Sequence, residues 1–213
     1  MKIQLALDRL TKERCFELVE KTANMVDWIE IGTGIIKEYG MAIIREMKKT
    51  YPSKTIVADM KTCDAGKYEA IQAFEAGADI TTVMAFSADK TIKDTLDIAN
   101  QFNKRVMIDL LGIKGKKRIY ELKGLGVNLI SLHIGKDMQE ESSLDNNIFN
   151  LVKGISGFEI AVAGGINIDN LPTIVKNSPN ILIIGSAITK AKKPDEVALK
   201  IRELINQSYE KAH

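Results

Sequence analysis

The chain has 213 residues and a formal net charge of +2, with 45% apolar and 27% charged side chains, the makeup of a globular protein with a sizeable core. So small a charge imbalance argues against a polyanion or nucleic-acid binder that works by bulk electrostatics, and no apolar run reaches the length of a membrane span. Two widely separated cysteines, Cys15 and Cys63, predict a reduced cytoplasmic protein, and the opening MKIQLALD lacks the pattern of a signal peptide.

Short runs rich in Val, Ile and Leu recur along the chain, separated by amphipathic stretches. The first predicted strand is IQLAL from Ile3, ending at Leu7-Asp8-Arg9, and the second is WIEI from Trp28. Ile35, Ile36, Tyr39, Ala42, Ile43 and Met47 then follow helical spacing. TIVAD from Thr55 is the third strand, and a helix over 66–76 carries Tyr68, Ile71 and Phe74 up to a stop at Gly77. ITTVM from Ile80 and VMIDL from Val106 follow, and then KGKK at 114–117, a solvated loop or helix start with an anion-binding patch as the sharper alternative. LISLHI from Leu129, EIAVAG from Glu159 and ILIIG from Ile181 complete the set. The last helix opens on Pro194, Asp195 and Glu196, residues suited to a first turn. It buries Val197, Ile201, Leu204 and Ile205, with Lys200, Arg202 and Lys211 on its outer face and end.

Eight such units in one chain predict an α/β fold, a single (βα)8 TIM barrel over residues 1–213. The alternative, an open doubly wound sheet, usually carries a glycine-rich loop after its first strand. This chain has Asp8-Arg9 there.

Barrel enzymes build their sites at the C-terminal strand ends, where this chain carries Asp8, Glu30, Asp59, Lys61, Asp109 and His133. In ADMKTCDAG, Asp59 and Lys61 are two apart and share one face of an extended chain, with Asp64 following on the loop. A lysine between carboxylates keeps its proton, which argues for a fixed cation beside a developing oxyanion and against a Schiff base. Asp64 alternatively caps the next helix. Glu30 and Asp59 are hard oxygen donors suited to Mg²⁺, or else a buried acid pair of Lys61. His133, at a strand end, suits a general acid/base role against a purely structural one. The glycines of AVAGGIN and IIGSAIT follow the seventh and eighth strands, where barrels commonly hold phosphate on backbone N–H groups.

With these residues assembled, the sequence resembles the 3-hexulose-6-phosphate synthases of the orotidine-phosphate-decarboxylase-like superfamily. The resemblance runs through QLALD at 4–8, EIGTGII at 30–36, ADMKTCDAGKYEA at 58–70, EAGADITTV at 75–83, HIGKDMQ at 133–139, AVAGGI at 161–166 and IGSAIT at 184–189. It implies Mg²⁺, with Mn²⁺ as a substitute, on Glu30 and Asp59, and an enediolate steadied by Lys61. It also implies proton transfer by His133 at C1 of ribulose 5-phosphate, which then adds to formaldehyde. Asp8, grouped with Asp109 as substrate-binding, would hold sugar hydroxyls, and Gly164, Gly165, Gly185 and Ser186 would hold the phosphate. Asp64 would reach the neighbouring site in a homodimer, a catalytic position supplied in trans. The sister 3-keto-L-gulonate-6-phosphate decarboxylases tend to carry an HRSRD-like run, a Thr-Gly-Gly and a Gly-Arg where this chain has HIGKD, Ala163-Gly164-Gly165 and Gly185-Ser186. Lys136, MAF at 84–86 and LLGI at 110–113 depart from the usual synthase wording. Orotidine-phosphate decarboxylase itself and a non-catalytic phosphosugar sensor are the remaining readings.

Overall fold

Strand-forming and helix-forming runs alternate into a closed parallel barrel in a computed structural model, which describes residues 1–140 and 146–210. The strands are β1 (Lys2–Leu7), β2 (Trp28–Ile31), β3 (Thr55–Thr62), β4 (Ile80–Met84), β5 (Arg105–Asp109), β6 (Leu129–His133), β7 (Glu159–Ala163) and β8 (Ile181–Ile184). They pair in sequence order, and β8 returns to β1 through Lys2↔Ile181 and Leu5↔Ile184. Around them lie α1 (Lys12–Thr22), α2 (Thr33–Tyr39), α3 (Met41–Thr50), α4 (Gly66–Glu75), α5 (Asp89–Gln101), α6 (Lys116–Gly124), α7 (Leu171–Val175), α8 (Ser186–Thr189) and α9 (Pro194–Glu210). Between β6 and β7 the described residues form 3-10 turns, Lys136–Glu140 and Asn146–Leu151. No described helix is long and apolar enough to cross a membrane.

The side-chain period of two divides each strand between two cores. Leu5, Ile29, Ile56 and Ile108 face outward into the helix-packed core, while Trp28, Val57, Ile80, Met107, Leu129 and Ile181 fill the barrel's interior. One pleat further along, the inner positions turn polar: Glu30, Asp59, Thr82, Asp109 and Ser131 follow Trp28, Val57, Ile80, Met107 and Leu129. The interior therefore grades from a dry floor to a polar mouth.

Three departures from the sequence reading have identifiable causes. β3 continues three residues beyond Asp59, and its register against β4 jumps from Ala58↔Thr81 to Thr62↔Val83. The extra residues form a bulge in which Lys61 adopts a left-handed φ of 49°, a conformation that costs a non-glycine residue roughly 1–2 kcal/mol. The helical run from Ile35 to Met47 is broken at Gly40, whose φ of 63° separates α2 from α3. In α9, Ile201 and Ile205 are buried as expected and Val197 and Leu204 partly so. Arg202, however, turns inward to donate to the Met25 carbonyl (2.8 Å) and to Asp27 (2.6 Å). Lys211 lies outside the described residues.

At the floor, Asp79 ties three elements together. Its carboxylate accepts from Lys48 of α3 (2.8 Å), from Lys104 just before β5 (2.6 Å) and from the Ile56 amide of β3 (2.9 Å). Burial alone would raise this carboxyl, but the two lysines and the amide outweigh it and hold it below its ordinary value. Replacing Asp79 with Asn should therefore cost about 2 kcal/mol at pH 7, the scale of charge-assisted hydrogen bonds. A depressed carboxyl stabilises above the unfolded value of about 4, and that contribution is lost as pH falls through the folded value. Urea unfolding of both proteins at pH 7 and pH 3 checks this. A gap independent of pH would count against the charged network.

Candidate active site

The polar mouth opens into a cavity of about 820 Å³. Asp8, Glu30, Asp59, Lys61, Asp109 and His133 line it, and so do Gly164, Gly165, Gly185 and Ser186. Lys136 lines it as well, whereas Asp64 does not.

Lys61 is the hub. Its ammonium lies 2.7 Å from Asp109 Oδ2 and 3.2 Å from both oxygens of Asp59. The sequence reading placed it between Asp59 and Asp64; the structure puts Asp109 of β5 in the second position, because the closed barrel brings β5 across to β3. Burial works against the ammonium, but Asp59 and Asp109 outweigh it and raise its pKa. Lys61 is thus a fixed cation. Asp64 is exposed beyond the bulge, and the residue before α4 is Ala65, left-handed at φ 53°, with no side-chain cap bond. The helix-capping reading of Asp64 falls with that.

Asp109 also orients the histidine. His133 Nδ1 lies 2.9 and 3.1 Å from its two oxygens, so with the proton on Nδ1 the basic nitrogen is Nε2. Burial would raise the Asp109 carboxyl, yet His133 and Lys61 hold it at about 2, and the Leu111 amide donates to it as well (2.9 Å). Asp59 Oδ1 accepts from the Thr82 hydroxyl (2.8 Å), and the Thr33 hydroxyl lies 2.7 Å from the Asp59 carbonyl oxygen and 3.0 Å from its Oδ2. Glu30 is pushed up to about 8, first by burial and then by the charge of Asp59, while the Gln4 amide donates to it.

Gln4, Thr33 and Thr82 were not singled out from sequence. The signal for Gln4 was a polar residue in the middle of an apolar strand, and for Thr82 a threonine at the same inner level as Asp59. Thr33 gave no comparable sign. Asp8 serves two ends at once: it lines the cavity and its Oδ1 accepts from the Gly34 amide in the first turn of α2 (2.9 Å).

The glycine loops are built for close approach. Gly164 has φ 114°, and a Cβ there would lie 2.5 Å from the Ile134 carbonyl oxygen. Gly165 has φ 70°, and its carbonyl accepts from Asn170 Nδ2 (2.9 Å). Gly185 leads directly into α8 at Ser186, and the first N–H groups of any helix lack intrahelical partners. The KGKK run opens α6, where Lys116 donates to the Lys153 carbonyl (2.7 Å) and Lys117 faces Glu121 at 4.0 Å, as a helix start would.

Among the described residues no cluster of three or more His, Cys, Asp or Glu side chains has metal-holding geometry. The donors present are the two carboxylates, Glu30 and Asp59, both lining the cavity. That set fits a hard cation such as Mg²⁺, which needs one or two carboxylates and keeps waters or substrate oxygens for the rest. The repulsion from Asp59 that helps raise Glu30 is what a cation between them would relieve.

Comparison with known proteins places these features in context. The model of the Orotidine 5'-phosphate decarboxylase / HUMPS family matches residues 1–201. A 3-hexulose-6-phosphate synthase of Bacillus subtilis (strain 168) is 36% identical over 209 residues, covering 97% of this chain and 100% of that protein. The crystal structure of 3-hexulose-6-phosphate synthase from Salmonella typhimurium superposes with a TM-score of 0.94 at 33% identity, over 97% of this chain and 99% of that one. A 3-keto-L-gulonate-6-phosphate decarboxylase from Vibrio cholerae superposes with a TM-score of 0.86 at 27% identity, over 97% of each chain.

If Lys61 is the charge balance of the mouth, Lys61→Met leaves Asp59 and Asp109 facing one another without their cation. Removing one partner of a buried ion pair costs about 3 kcal/mol or more, and that loss is expected in urea unfolding at pH 8. Asp109 is held well below the ordinary carboxylate range partly by Lys61, so the wild-type advantage, and with it the deficit of the variant, should shrink as pH falls below the unfolded value of about 4. Unchanged stability at pH 8 would refute the hub.

Proposed function

The chain belongs to the Orotidine 5'-phosphate decarboxylase / HUMPS family, and within it we propose that this lyase reversibly joins formaldehyde to C1 of ribulose 5-phosphate, giving 3-hexulose 6-phosphate. The observation that carries this reading is the chain of contacts from His133 through Asp109 to Lys61 and Asp59, set in one cavity with the paired glycine loops. The synthase names of the relatives support the choice of substrate.

In this reading the sugar phosphate is held by N–H groups of the Gly164-Gly165 and Gly185-Ser186 loops, which fix the far end of the substrate. Asp8 accepts from sugar hydroxyls. His133 Nε2, freed by the Asp109 contact on Nδ1, removes a proton from C1. The negative charge that develops on the C2 oxygen is met by the Lys61 ammonium, which is already in place and needs no reorganisation. C1 then bonds to the carbon of formaldehyde, and the aldehyde oxygen takes the proton back from His133. A Mg²⁺ or Mn²⁺ ion on Glu30 and Asp59 would supply a second positive charge to the sugar oxygens. Asp64, exposed and off its own cavity, serves the site of a second copy in a homodimer.

The second reading is decarboxylation of 3-keto-L-gulonate 6-phosphate, favoured by the Vibrio cholerae likeness. It uses the same cation and the same kind of intermediate. A paired assay separates the two: formaldehyde consumption with ribulose 5-phosphate and Mg²⁺, against CO₂ release from 3-keto-L-gulonate 6-phosphate. Only the first should run at a substantial rate. A chelator should stop it and Mg²⁺ or Mn²⁺ should restore it, while full activity after chelation would remove the metal from the scheme.

His133→Asn should lower kcat by about 10²–10⁴-fold, the usual worth of general acid/base transfer, with little change in KM for ribulose 5-phosphate. Solvent-deuterium exchange at C1 without formaldehyde should slow in parallel. Exchange at the wild-type rate would show that another group is the base.

A further inference from the structure

The bulge that carries Lys61 creates a bonding problem that one side chain solves. From Ala58 to Thr62 the third strand spends four residue steps where its neighbour spends two, from Thr81 to Val83. The register shift takes the strand out of step with its neighbour, and a backbone amide there needs an acceptor. The Lys61 amide finds the hydroxyl of Thr82 at 2.9 Å, and the same hydroxyl lies 2.8 Å from Asp59 Oδ1. An amide N–H can only donate, so the hydroxyl must accept from Lys61 and direct its own proton to Asp59. Thr82 is 4% exposed, and its hydroxyl hydrogen is committed by these two contacts.

We propose that Thr82 is the positioning residue of this site, holding the left-handed Lys61 backbone and the Asp59 carboxylate in one register so that the ammonium is delivered between Asp59 and Asp109. Without the hydroxyl, the bulge keeps its strain and loses the side-chain contact on the Lys61 amide, and Asp59 loses the hydroxyl donor on its Oδ1. The ammonium is then free to settle elsewhere in the mouth. Valine has the shape of threonine without the hydroxyl and serine has the hydroxyl without the methyl, so the pair isolates the hydrogen bonds from packing. The effect on rate rests on the aldol reading above; the effect on the backbone does not.

Two measurements on Thr82→Val and Thr82→Ser test this. Amide hydrogen exchange at Lys61, followed by NMR, should quicken by about five- to tenfold in the valine variant, the equivalent of one hydrogen bond, and stay near wild type in the serine variant. The rate of hydrogen exchange at C1 of ribulose 5-phosphate should fall about 10–100-fold in the valine variant, the usual scale for losing a supporting contact. Most of it should return with serine, and KM should change little in either. If circular dichroism shows that the valine variant does not fold, Thr82→Ala carries the same comparison. Unchanged Lys61 protection in the valine variant, a serine variant as slow as the valine one, or a loss confined to KM would each overturn the assignment. Absence of C1 exchange in the wild-type protein would instead overturn the aldol reading and leave the amide result standing.

Discussion

A half-buried ammonium is stabilised by negative charge close at hand, and the mouth of this barrel is arranged around that requirement. Lys61 has 73% of its side-chain surface covered, with its charge facing Asp59 and Asp109 (side-chain exposure 27%). Each carboxylate is itself held by other groups: Asp59 by Thr33 and Thr82, Asp109 by His133 and the Leu111 amide. Moving any of these groups leaves a partly buried charge with fewer partners, and an unpaired buried ion is costly. The result is a rigid positive point set in advance of any substrate, the arrangement that favours a developing oxyanion. The third carboxylate, Glu30, is pushed toward neutrality by burial and then by the charge of Asp59, so a cation held there would have to displace its proton.

The strands were legible in the sequence because parallel barrel strands are covered on both sides and leave long apolar runs. Each of the eight predicted strands has its counterpart within a few residues. The polar residues at strand ends were legible for a related reason: Asp59, Lys61, Asp109 and His133 interrupt or end apolar runs. Which carboxylate meets which cation was not. Asp109 lies 48 positions from Lys61, and only closure of the sheet decides that pairing, whereas Asp64 is near in sequence and distant in role. The bulge was hidden for a related reason. An extended chain and a bulged one both bring Lys61 back toward Asp59, so the pattern of residue types is the same in either case. Gly40 was a local sign that periodicity overrode, since a run of well-spaced apolar residues reads as one helix until a left-handed glycine divides it.

The interior also separates two tasks. Its lower levels hold Trp28, Val57, Ile80 and Met107, and beneath them Asp79, Glu159 and their lysine and arginine partners lock the strand starts. The upper levels hold the groups that face the cavity. The ion pairs that tie the strand starts are thus separate from the charged and strained residues that face the cavity.

The contact between Gly164 and Ile134 has a consequence for how such a mouth can change over generations. The seventh loop passes so close to the sixth that no side chain fits between them. The two loops are therefore coupled sterically: a change that moves the Ile134 backbone toward position 164 needs a matching adjustment after β7. Recombination between relatives would preserve a working mouth most readily when the crossover falls outside the stretch joining these strands. New specificities would then arise by exchange of this double loop as one piece, with the floor of the barrel carried over untouched.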